Sequence, residues 1–87
     1  MKIKPNFELR KICREHIVIA TGRENIDFTK VISLNESAAH VWNHVNGTEF
    51  TIDDMVSALT SEYEVSDEQA RHDCETLIDQ WQKAGLL

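Results

Sequence analysis

The chain has 87 residues, 41% of them hydrophobic and 28% charged, with three Gly, one Pro and two Cys. This composition describes one globular domain over residues 1–87 and excludes a disordered, collagenous or disulfide-framed chain. The formal charge is -6, and no apolar run approaches the roughly 18–20 residues of a membrane span.

The charge is unevenly spread. Residues 1–31 hold seven basic and four acidic side chains, a balance of +3, and residues 32–87 hold two basic and eleven acidic ones, a balance of -9. The second part therefore repels polyanions. The N-terminal Met1-Lys2-Ile3-Lys4-Pro5 carries no apolar signal core, which points to the cytoplasm.

The first third reads as β. Phe7 to Ile12 is a mixed segment of strand character, and His16 to Ala20 is a continuous β-branched run suited to a central strand. The Arg14-Glu15 link predicts a tight hairpin between them. Thr21 to Asp27, with Gly22 and Asn25, reads as a loop, and Phe28 to Leu34 as a third strand. In that strand Ile32 and Leu34 share one face, Val31 and Ser33 the other.

The rest reads as three helices. Asn35 caps the first, whose apolar stripe is Ala38, Val41, Trp42 and Val45, with Gly47 at the left-handed position after it. Thr51 caps the second, with Asp53 and Asp54 in its first turn and Ile52, Met55, Val56, Leu59 and Tyr63 as its stripe. Ser66 with Gln69 reads as a capping box for the third, whose stripe is Ala70, Cys74, Leu77, Ile78 and Trp81, and Gly85 ends it. The order β-β-β-α-α-α predicts an α+β fold: a small three-stranded antiparallel sheet covered by three helices, winged-helix-like in plan.

Three blocks carry a family resemblance. Leu34-Asn35-Glu36-Ser37-Ala38-Ala39-His40-Val41-Trp42 resembles the "L-N-E-T/S-A-A-x-I/V-W/L" signature of the PqqD family, which is named after coenzyme PQQ synthesis protein D. Asn46-Gly47-Thr48 to Ile52, with Val56, Leu59 and Tyr63-Glu64-Val65, is similar to the stretch that follows it in that family. Leu77-Ile78 to Ala84-Gly85-Leu86-Leu87 resembles the family's close. The likeness runs over residues 5–87 and is strongest over 34–87. The approach to the signature, Arg23 to Asn35, departs from the family by lacking its Thr-Gly pair and Tyr.

The resemblance implies a non-catalytic peptide chaperone without a cofactor. Such domains bind the leader of a ribosomally made precursor peptide and present it to a modifying enzyme, often a radical SAM maturase. In the family the leader adds as a strand beside the third strand, in a groove against the third helix. Carried onto this chain, the strand partner is the backbone of Thr29, Lys30, Val31, Ile32 and Ser33. The other wall is the helix face near Arg71, Cys74, Glu75 and Ile78, with Arg71 meeting a leader carboxylate. Strand addition needs unpaired N–H and C=O groups, and the Phe28–Leu34 segment, free of Pro, suits an edge. It equally suits the middle of the sheet. For Arg71 the plainer reading is a solvated partner of Asp67 or Glu75.

Other constellations carry less. His40 and His44 are spaced i,i+4 but lie mostly off the apolar stripe, so a solvent-facing pair is expected rather than a metal site. Cys13, Cys74, His16 and His72 match no zinc spacing. Two competing functions remain: a winged-helix DNA-binding regulator, and a structural subunit of an enzyme complex. Against the first, the third helix carries Asp67, Glu68, Asp73, Glu75 and Asp79 with only Arg71 and Lys83.

Overall fold

A computed structural model describes residues 1–5, 7–20 and 32–87. Its elements are β1 (Phe7–Ile12), β2 (Glu15–Ala20), β3 (Ile32–Leu34), α1 (Glu36–Val45), α2 (Ile52–Glu62) and α3 (Asp67–Lys83). The strands form one antiparallel sheet in the order β1-β2-β3. This is the expected α+β order of three strands and then three helices. The expected loop at Thr21–Asp27 and the first part of the third strand, 28–31, lie outside the described residues.

The hairpin turns one residue earlier than expected. Ile12 pairs with Glu15, so Cys13 and Arg14 are its two central residues and Glu15 opens β2. Both take positive φ, 50° and 70°. A two-residue hairpin needs left-handed backbone there to match strand twist, a demand usually met by Asn-Gly. Holding two side-chain-bearing residues in that region costs on the order of 1 kcal/mol each.

The helix ends follow local chemistry. The Asn35 side chain accepts the Ala38 N–H at 2.8 Å. Thr51 and Asp54 form a reciprocal capping box, with the Thr51 N–H donating to Asp54 Oδ2 at 2.8 Å. Ser66 accepts the Gln69 N–H at 3.2 Å, but the other half of the expected box is missing. Gln69 Nε2 donates instead to Asp73 Oδ1 at 2.9 Å; a carboxylate one turn on is the stronger acceptor. At the far end Gly85 has φ 80°. The Leu86 N–H reaches the Trp81 carbonyl at 2.8 Å and the Gly85 N–H reaches that of Gln82 at 3.1 Å. These two bonds are the Schellman closure, which a left-handed residue after the cap makes possible.

The core sits between the helices and the inner sheet face, where Val18 and Leu34 meet Ala38, Val41, Trp42, Met55, Leu59 and Trp81. Trp42 and Trp81, both fully buried, meet edge to face at 5.4 Å and 83°. The segment before β1 is tied down as well. Ile3 is buried, the Lys4 N–H donates to the Leu86 carbonyl at 2.8 Å, and the Phe50 N–H donates to the Met1 carbonyl at 2.7 Å.

Candidate functional site

The direction of each peptide group in the sheet follows from the hairpin. The pair closing a two-residue turn, Ile12 with Glu15, exchanges both hydrogen bonds, and the pattern alternates from there. On β2, Glu15, Ile17 and Ile19 therefore aim their backbone groups at β1, and His16 and Val18 aim theirs at β3. His16 faces Leu34 and Val18 faces Ile32. The N–H and C=O of Ile32 and Leu34 are thus spent on β2, while those of Ser33 point away from the sheet. Among the described residues no other backbone group bonds to them. Among the described residues the third strand has β2 as its one neighbour and so stands at the edge of the sheet.

A groove begins where β3 ends. Asn35, the first residue after the strand, lines a cavity of about 430 Å³ together with Ser37 and Ala38 of α1 and Leu59 of α2. Its far wall is α3, through His72, Asp73, Thr76, Leu77 and Gln80. Ser37, Leu59 and Asp73 also line a smaller cavity of about 210 Å³, which continues towards Tyr63 and Val65. At 1.5 Å per helical residue the wall from His72 to Gln80 is about 12 Å long. Four residues of extended chain, at roughly 3.3 Å each, span that length.

The forecast site residues are placed as follows. Thr29, Lys30 and Val31 lie outside the described residues. Ile32 is half-buried on the inner face of β3, and Ser33 is exposed. On α3 the lining face is turned slightly from the forecast one. Cys74 is fully buried, Ile78 is half-buried against the core, and Glu75 is exposed. None of these borders the groove. Burial pushes the Cys74 thiol up to about 11, and the charge of Asp73 adds to the shift. Arg71 donates to Asp53 Oδ1 of α2 at 2.7 Å, a partner that helix spacing alone does not supply. That hydrogen bond and the charge of Asp53 raise its pKa further.

His40 corrects another expectation. It is not a solvent-facing ring, for its Nε2 lies 3.1 Å from the Ala58 carbonyl, and the ring meets Tyr63 edge to face at 5.8 Å and 83°. Because a carbonyl only accepts, Nε2 carries the proton. His44 is exposed. Among the described residues no three His, Cys, Asp or Glu side chains are grouped to hold a metal ion, and no helix is long and apolar enough to cross a membrane.

The family model described as coenzyme PQQ synthesis protein D (PqqD) matches residues 15–87. The chain belongs to the PqqD family. Its PqqD match opens with β2 and includes β3, the three helices and every residue named above as lining the groove. Among solved structures, the chain is similar to TbiB1, determined in complex with the TbiA(beta) leader peptide. The two share 17% identity and a TM-score of 0.74, over 100% of this chain and 94% of that one, a likeness of fold. No curated protein matches the chain.

Proposed function

We propose that this PqqD-family protein is a non-catalytic peptide-binding accessory. It takes the leader of a ribosomally made precursor as an added strand and presents the remainder to a maturation enzyme, of which a radical SAM enzyme is the family's common case. The observation that carries this reading is the outward N–H and C=O of Ser33, on a strand with one neighbour among the described residues, two positions before Asn35, which lines a groove about 12 Å long. That TbiB1, of the same fold, is held with a leader peptide supports it. The leader backbone would pair along Thr29 to Ser33, and its side chains would reach the α3 wall. Main-chain pairing supplies affinity in this mode, and side-chain seats supply selection.

The test is a titration with the leader of a precursor encoded beside the gene. Ser33→Pro deletes the one outward donor of the described rim, and the β2 ladder does not use that donor, so the sheet is retained. Leader affinity should fall at least tenfold. Ile32→Pro is the poorer probe, because it strikes the ladder to β2. Undiminished binding by a folded Ser33→Pro variant would overturn the strand-addition reading.

A further inference from the structure

We infer that the groove selects a peptide carrying a lysine or arginine between aliphatic residues, with the cation held by Asp73; this rests on the peptide-binding reading above. Asp73 lines both cavities and, among the described residues, is the only carboxylate lining either. One of its oxygens accepts from Gln69 at 2.9 Å. Among the described residues the other has no partner and no cation is paired with Asp73. The two basic residues of α3 are engaged elsewhere, Arg71 with Asp53 at 2.7 Å and Lys83 with Asp79 at 2.9 Å. The lining around Asp73 is mixed: Ala38, Leu59 and Leu77, with Val65 beyond them, supply apolar seats between polar side chains.

An extended chain turns alternate side chains to one face. Aliphatic side chains seated on Leu59 and Leu77 would carry a neighbouring ammonium or guanidinium to the free oxygen of Asp73. The charge of the helical half, -9 over residues 32–87, favours the same cation and disfavours a carboxylate. A further cavity, at the hairpin end, carries no such bias, because Lys11 and Arg14 there stand with Glu15 and Glu36.

The experiment pans a phage-displayed random peptide library against wild type, Asp73→Asn and Asp73→Lys, and measures the best wild-type peptide by fluorescence anisotropy. Wild type should enrich Lys or Arg flanked by Leu, Val or Ile. Asp73→Asn should lose the basic preference, and Asp73→Lys should turn it to Asp or Glu. Exchanging the basic residue for Gln in the best peptide should weaken binding about two- to fivefold, the range of a solvent-exposed ion pair. In wild type this difference should shrink as salt rises, a readout that needs no variant. Aliphatic peptides bound without regard to charge, or the same basic preference in Asp73→Asn, overturn the assignment to Asp73 and leave strand addition standing. Failure of all three proteins to enrich any peptide overturns both.

Discussion

Cys74 shows how one side chain reports the packing around it. Its thiol is buried, and its pKa is raised from the ordinary 9.0 to about 11, by burial first and by Asp73 second, with Arg71 opposing. The folded state therefore favours the neutral thiol. That preference is fully present below pH 9 and is lost as pH rises towards 11, because the unfolded chain releases the proton earlier. The melting temperature should fall across this window, and Cys74→Ala should flatten part of the fall, as followed by circular dichroism. Cys13 is exposed at the hairpin tip, so iodoacetamide on the native protein should add one label, at Cys13, with the second appearing only after denaturation. Two labels on native protein would place Cys74 at the surface. Trp81 shows a different tension: its indole N–H is buried without a partner among the described residues. Its large apolar area outweighs that orphan donor, since losing a buried Trp costs about 3–5 kcal/mol.

Capping and turn chemistry decide where the elements stop. Gly85 makes the Schellman closure of α3 and sits at φ 80°, with open space where a Cβ would go. Gly85→Ala should therefore be strained by its backbone alone. The expected cost is about 1 kcal/mol, or roughly 4–8 °C in melting temperature. A loss below a few tenths of a kcal/mol would show that the turn relaxes freely. The caps Asn35, Thr51 and Ser66, and the left-handed glycines Gly47 at φ 85° and Gly85, were legible in the sequence because each acts within a few residues of itself. The wall of the groove was not. A stripe of apolar residues identifies the buried side of α3, and that side holds Cys74 and Ile78. Of that stripe only Leu77 reaches the groove, and the rest of the α3 wall is the flank, His72, Asp73, Thr76 and Gln80, whose polar residues look like any solvated face until α1 is set beside them. The Arg71–Asp53 pair and the seat of His40 on the Ala58 carbonyl were hidden for the same reason: each joins two helices whose relative placement no local pattern encodes.

For the molecule as a whole, charge separates the candidate functions. A winged-helix reader docks a basic helix on phosphates, whereas α3 carries five acidic residues and two basic ones, and both basic ones are already in ion pairs. Duplex DNA at about physiological salt should leave the protein unshifted in a gel, since non-specific affinity comes almost wholly from unpaired Lys and Arg. A salt-sensitive shift would direct attention to the basic N-terminal third. The order of elements was legible at this scale because the hydrophobic period changes from two to nearly four where the chain passes from sheet to helices. The place of β3 beside β2 alone, among the described residues, was not, because an apolar strand of that kind fits either an edge or the middle.

The two tryptophans that meet in the core come from α1 and α3, the helices on either side of the groove, and the chain has no others. The molecule thus contains its own unlabelled optical gauge of how far these helices stand apart. A guest that levers them open will alter the emission of the native protein, and one that only lies along the cleft will leave it unchanged.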